Sequence, residues 1–151
     1  MAVVKGSPVR RKETSTLPSS PRLDALAELE GQKAIAAVKA GLDASLVRQL
    51  AMRLDLTLED LAVPLHLTSR TLHRRLEHGR LSLDESERLL SLAKIFALAK
   101  ATLGSESKAV HWMKSPVPAL GSKTPLECAE TQIGLREVED VLVRIEDVVY
   151  S

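Results

Sequence analysis

The sequence predicts an all-α protein made of two helical units, and three observations carry that prediction. Of 151 residues, 44% are hydrophobic but only 2% are aromatic, namely Phe96, Trp112 and Tyr150. The apolar mass is leucine (26) and alanine (17), which favour helices, whereas sandwiches and barrels draw on aromatic and β-branched residues at period two. Apolar positions recur at spacings of three and four along most of the chain. Charge then divides it. From Gly104 onward five Lys/Arg face eight Asp/Glu, while the front is net positive and the total is +1. A basic front and an acidic back imply two units with different partners.

The same composition excludes several classes. Three scattered rings cannot form the base-stacking platform of a single-strand or RNA-loop binder. One cysteine, Cys128, rules out an intramolecular disulfide framework and a cysteine zinc site. His66, His73, His78 and His111 make no ligand set, so neither metal nor other cofactor is expected. The carboxylates lie on solvated helix faces with no catalytic arrangement, so the chain is not expected to be an enzyme. No apolar run approaches the ~20 residues of a membrane span, and no apolar stretch follows the N-terminal charges as in a signal peptide. A cytoplasmic protein is the expectation.

Residues 1–21 hold three prolines and the cluster Arg10, Arg11, Lys12 without apolar periodicity. They are expected as a flexible basic tail, either solvated or brushing a phosphate backbone. Leu23, Leu26, Leu29, Ile35 and Val38 then keep helical spacing around Gly31, and Gly41 breaks the run. A second helix fits Asp43–Leu54, with Leu46, Leu50 and Leu54 in one stripe. A third starts at Thr57, where Glu59 and Asp60 suit the first turn. After a turn near His66–Thr68, a fourth runs to about Glu77 and ends at Gly79. Ser82 and Glu85 form a capping box for a long helix. Its stripe is Leu89, Leu92, Ala93, Phe96, Ala99 and Leu103, and Leu90, Ile95 and Leu98 widen the apolar surface. Such a helix is either central or partly buried in a dimer.

Beyond Gly104, Glu106–Lys114 reads as a short helix and 115–123 as an ordered loop. Thr124, Pro125 and Glu127 form a complete helix start, and that helix is expected to stop at Gly134. A last helix follows, with Leu135, Val138, Leu142, Ile145 and Val149 on one face. The boundaries drawn from this pattern are 1–21, 22–103 and 104–151.

Two segments carry chemistry. Thr57 to Arg75 has the layout of a helix-turn-helix: Ala62 at a close crossing, Leu61 and Leu67 facing Leu72 and Leu76, and Thr68 as cap. With Leu72 and Leu76 inward, Arg70 and Arg74 point outward beside Ser69, Thr71 and His73. Residues 66–80 hold four Arg and three His against one Glu, which suits a DNA major groove, where Arg reads guanine edges. The plain alternative is a helical hairpin with a solvated Arg face. The run Leu61-Ala62, Leu67-Thr68, Thr71-Leu72 and Arg74-Arg75 resembles the Xre-type helix-turn-helix family. It departs from that pattern at His66, where the turn usually carries Gly, and at Pro64, which should kink or shorten the first helix. The candidate DNA-contacting residues are Thr68, Ser69, Arg70, Thr71, His73, Arg74, Arg75 and Arg80.

The second segment is Trp112-Met-Lys, Pro-Val-Pro-Ala-Leu-Gly-Ser-Lys-Thr-Pro-Leu-Glu, Ile133-Gly134, Glu137 to Asp140, Arg144 to Glu146 and a terminal Val-Val-Tyr-Ser. It resembles the toxin-binding domain of the Xre/MbcA/ParS antitoxin family, and with the helix-turn-helix the resemblance covers about residues 23 to 151. It implies the antitoxin of a type II pair whose partner is a RES-domain toxin that degrades NAD. The C-terminal domain would cover the toxin's active site, and the N-terminal helix-turn-helix DNA-binding domain, as a homodimer, would repress the shared promoter on operator double-stranded DNA.

The residues add a weaker argument of their own. Glu146 and Asp147 fall in the last helical turn, where the macrodipole favours cations, and a basic partner surface would offset that. A pocket accepting the phosphates of NAD would be basic. Arg144, Glu146, Asp147, Tyr150 and Ser151 are the residues expected to enter it, with Trp112 and Lys123 as further toxin contacts. Read without the resemblance, the same end is a solvated charged helix. Trp112 also reads as a core residue, Cys128 as a buried small hydrophobe, and 121–124 as a structural turn or a weak anion cradle. The alternative function is an effector-responsive helix-turn-helix regulator, although 48 residues with few rings make a poor enclosed pocket.

Overall fold

The computed structural model describes residues 22–150, without the side chain of Tyr150. The expected tail at 1–21 and the terminal Ser151 lie outside the described residues. Among those residues the architecture is all-helical, with two isolated antiparallel bridges, Asp43–Arg80 and Val117–Lys123. The helices are α1 (Leu23–Ala27), α2 (Gly31–Ala40), α3 (Ser45–Leu54), α4 (Leu58–Ala62), α5 (Ser69–His78), α6 (Leu83–Leu103), α7 (Glu106–Met113), α8 (Pro125–Cys128) and α9 (Gln132–Tyr150), with a 3-10 turn at Pro118–Leu120.

Helix α6 is the axis on which the rest is built. Helices α1 and α2 pack against it from the N-terminal side, and α7 and α9 from the C-terminal side. Leu89, Leu90, Leu92, Ala93, Ile95, Phe96 and Ala99 are all buried. Of the two readings of its wide apolar surface, the central position accounts for it within one chain. Its start is the expected capping box: Ser82 Oγ accepts the Glu85 N–H (3.3 Å) and the Glu85 carboxylate accepts the Ser82 N–H (2.9 Å).

Helices α3, α4 and α5 form the helix-turn-helix cluster around Leu50, Leu54, Leu61, Leu65 and Leu72, all almost fully buried. Thr57 and Thr68 cap α4 and α5 by accepting the N–H of Asp60 and Thr71. Helix α4 ends at Ala62, before Pro64. A prolyl nitrogen at 64 has no hydrogen to return to the Asp60 carbonyl, so the helix stops there.

Four expectations are corrected. The run around Gly31 is two helices: α1 ends at Ala27, the Glu28 N–H closes its last turn, and Lys94 reaches across from α6 to the Ala27 carbonyl (3.0 Å) and to Glu30 (3.1 Å). Gly134 does not end a helix. The helix begun at Thr124 lasts only from Pro125 to Cys128, and Gly134 lies in the first turn of α9. A Cβ there would sit 1.8 Å from the Cys128 carbonyl oxygen, so glycine is required by the close approach of two backbones. Thr131 provides the cap, accepting the Gly134 N–H at 2.9 Å. Finally, Cys128, at the end of α8, is half-buried rather than buried, and Val149 is exposed because the end of α9 extends past the body it packs on.

No helix among the described residues is long and apolar enough to cross a membrane. Among the same residues, no group of three His, Cys, Asp or Glu side chains is placed to hold a metal ion.

Candidate functional site

The first candidate surface is the outer face of α5. Leu72 is fully buried and Leu76 half-buried against the core, which turns Ser69, Arg70, His73 and Arg74 to solvent. Thr68 and Thr71 are partly committed to the cap: the Thr68 hydroxyl accepts the Thr71 N–H (3.1 Å) and lies 3.0 Å from the Thr71 hydroxyl. The last turn carries Arg75 and His78, which complement the helix dipole.

Arg75 and Arg80 are placed differently from Arg70 and Arg74. Arg75 donates from Nε to Glu85 Oε1 (2.8 Å) and from Nη2 to Oε2 (3.1 Å), a fork that pins α5 to the start of α6. Burial works against the ionisation of Glu85. The hydrogen bonds from Arg75 and the Ser82 N–H outweigh it and hold the carboxyl below the usual glutamate range. Arg80 donates to the Gly41 carbonyl (2.7 Å) beside the Asp43–Arg80 bridge. There a side chain at Gly41, whose φ is +89°, would meet the Leu81 carbonyl oxygen at 2.7 Å.

Two neighbours of α5 were not legible from residue spacing. Glu59 on α4 places Oε2 3.5 Å from both Ser69 Oγ and His73 Nε2, an acid beside an otherwise basic face. His66 occupies the turn with φ +57°, a left-handed conformation that costs a residue bearing a side chain about 1–2 kcal/mol. Its Nε2–H donates to the Glu130 carbonyl at 2.6 Å, across 64 residues. A carbonyl can only accept, so the ring must carry its proton on Nε2.

The second candidate surface is the far end of α9. Leu135, Val138, Val141 and Leu142 are buried and Ile145 is half-buried. Arg144, Glu146 and Asp147 are exposed on the following turns, next to Val148 (77% exposed) and Val149 (59% exposed). Ala119, Val141, Arg144, Ile145, Val148 and Val149 line a shallow groove of about 320 Å³. Acids at a helix C-terminus and exposed valines beside them make a surface that a partner would improve. Of the expected toxin contacts, Arg144 lines this groove, while Glu146 and Asp147 are exposed on the same turns of α9 outside its lining. Trp112, half-buried on α7, and Lys123, exposed in the bridged turn, do not line the groove. The Tyr150 side chain and Ser151 lie outside the described residues.

The two surfaces belong to one connected body. Arg53 on α3 forks onto Glu106 of α7, reaches Asp24 of α1 at 2.8 Å, and lies over the Phe96 ring at 5.7 Å. The Glu106 hydrogen bond is the chief cause of a raised Arg53 pKa. Lys114 donates to the Asp55 carbonyl at 3.1 Å.

Two family models match successive parts of the chain. Residues 33–94 match the antitoxin Xre-like helix-turn-helix domain, and residues 98–147 match the antitoxin Xre/MbcA/ParS C-terminal toxin-binding domain. An "Antitoxin Xre" of Pseudomonas putida is 38% identical over 52% of this chain and 50% of its own length. One of Yersinia enterocolitica is 37% identical over 56% of this chain and 59% of its own. A "Prs ADP-ribosylating antitoxin" of a Sphingobium species is 25% identical over 74% of this chain and 77% of its own. The chain thus spans between half and three-fifths of the first two relatives.

Proposed function

Because this chain belongs to the Xre/MbcA/ParS antitoxin family, we propose that it is the antitoxin of a toxin–antitoxin pair, binding a toxin through α9 and operator DNA through α5. The observation that carries this reading is the end of α9. Within the toxin-binding domain, Arg144, Glu146 and Asp147 stand beside exposed Val148 and Val149. The valines offer apolar area and the acids offer charge to a basic pocket that takes the phosphates of NAD. The toxin is a RES-domain protein, and the end of α9, with Tyr150 and Ser151, covers its active site. On the other side, two copies of the chain place Ser69, Arg70, His73 and Arg74 in successive major grooves of a palindromic operator, repressing the shared promoter in the cytoplasm. Arg75, forked onto Glu85, braces that face against α6, while Arg80 holds the Gly41 carbonyl.

The test is co-expression with the product of the adjacent reading frame. The full chain should co-purify with it and restore growth. A chain truncated at residues 145–151 should lose neutralisation and keep operator binding. Full neutralisation by the truncated chain would sink the assignment of the α9 end. Since one relative's name records ADP-ribosylation, the assay should follow both nicotinamide release and ADP-ribose on protein. Operator binding without any toxin partner, together with a gel shift that responds to a small molecule, would instead favour an effector-responsive regulator.

A further inference from the structure

We propose that the hydrogen bond from His66 to the Glu130 carbonyl couples the two surfaces, so that the state of the C-terminal unit sets the pose of the recognition helix. The regulatory sense of this coupling rests on the function proposed above; the physical link does not. His66 lies in the connection between α4 and α5, two residues before the Thr68 cap. The Leu67 N–H closes back on the Ala62 carbonyl at 2.9 Å, and Thr68 then caps α5. A displacement of His66 is therefore passed within two residues to the start of the helix that presents Arg70 and Arg74.

On the other side, Glu130 lies in the three-residue turn between α8 and α9. That turn has little freedom. Gly134 packs its Cα against the Cys128 carbonyl with no room for a Cβ, and Thr131 caps α9. Helix α9 continues without a break to Arg144, Glu146 and Asp147, so a tilt imposed at its far end reaches the turn as a rigid movement. Arg88 of α6, half-buried, with Gln132 and Leu135, lines the same cleft around His66.

The residue at 66 is itself an argument. The conformation at φ +57° is one that glycine adopts without cost. Histidine is strained there, yet its ring bridges to a carbonyl 64 residues away. Strain held in place by a long-range contact is the arrangement in which loss of the contact changes the local conformation.

The experiment uses the full chain, a duplex carrying its own promoter and the co-purified product of the adjacent frame. Operator Kd is measured with and without that product for wild type, His66→Gly, His66→Asn and Glu130→Ala. Wild type should show a ratio of fivefold or more, within the usual range of coupling between two sites. His66→Gly and His66→Asn should bring the ratio within twofold of one while keeping affinity for the toxin and the thermal midpoint. Glu130→Ala should match wild type, because only the backbone carbonyl is used. A wild-type ratio retained in both His66 variants overturns the proposal, as does a wild-type ratio within twofold of one. A second arm needs neither DNA nor toxin. In the chain alone, His66→Gly should raise amide exchange at 129–135 as well as at 67–72. A change confined to 67–72 overturns the link even if the functional reading stands. Failure of wild type to bind operator, with exchange raised in both segments, supports the link and overturns only the functional reading.

Discussion

Arg74 and Arg75 are adjacent on α5, and their surroundings give them different work. Arg74 has its guanidinium in solvent, whereas Arg75 is held by Glu85 in a two-point fork. Sequence spacing placed both in one basic group, because a pairing with a carboxylate ten residues on depends on how α5 meets α6. If Arg70 and Arg74 read bases, Arg70→Ala and Arg74→Ala should each weaken operator binding by about 1–3 kcal/mol in gel shifts at fixed salt. Unchanged affinity in both would remove them from the interface. Glu85 makes a prediction of its own. Its folded pKa lies below the ordinary value of 4.5, so its stabilisation is full above that value and is lost as pH falls through the folded one. The carboxyls of Asp24 and Glu106, hydrogen-bonded to Arg53, are lowered as well. The thermal midpoint should therefore drop as pH is taken from about 5 to about 3. Glu85→Gln should flatten that dependence and cost about 1–3 kcal/mol near neutrality, since Arg75 loses its charged partner.

At the scale of the element, local chemistry was legible and element ends set by packing were not. The caps at Thr57, Thr68, Ser82 and Thr124 all use a hydroxyl and an N–H three residues apart, which a short window of sequence contains. Pro64 shortening α4 is equally local. Gly134 is the contrary case. Glycine before an apolar run reads as a stop, but its reason here is the close approach of the α9 backbone to the end of α8, which apolar periodicity does not encode. Gly134→Ala should therefore destabilise the C-terminal unit by about 1–3 kcal/mol, the usual range for overpacking, seen as a lower melting temperature. Melting equal to wild type would show that α9 can shift away from Cys128 at no cost. The end of α9 was only half legible. Its charges were evident, but the exposure of Val148 and Val149 depends on where the supporting body stops.

At the scale of the whole molecule, α6 joins the two units. It packs on α1 and α2 and also on α7 and α9, and Arg53, Lys114 and His66 tie the halves together from outside it. A dimer of this body on an operator would bring two sets of arginines to phosphates. With six or more phosphate contacts, affinity should fall about a thousandfold or more between roughly 50 and 200 mM salt. A flat salt dependence in a titration would argue against the α5 face as the DNA surface. By itself the sequence determined the helical class, the caps, the basic α5 face and the acidic C-terminal unit, because each rests on interactions between residues a few positions apart. Only the tertiary structure decided that α6 is central, that Arg75 faces Glu85, that Gly134 lets α9 approach the end of α8 and that His66 reaches Glu130. Those depend on how whole helices pack on one another, even when they are neighbours in sequence, and there one buried carboxylate or one close backbone approach overrides what the local pattern favours.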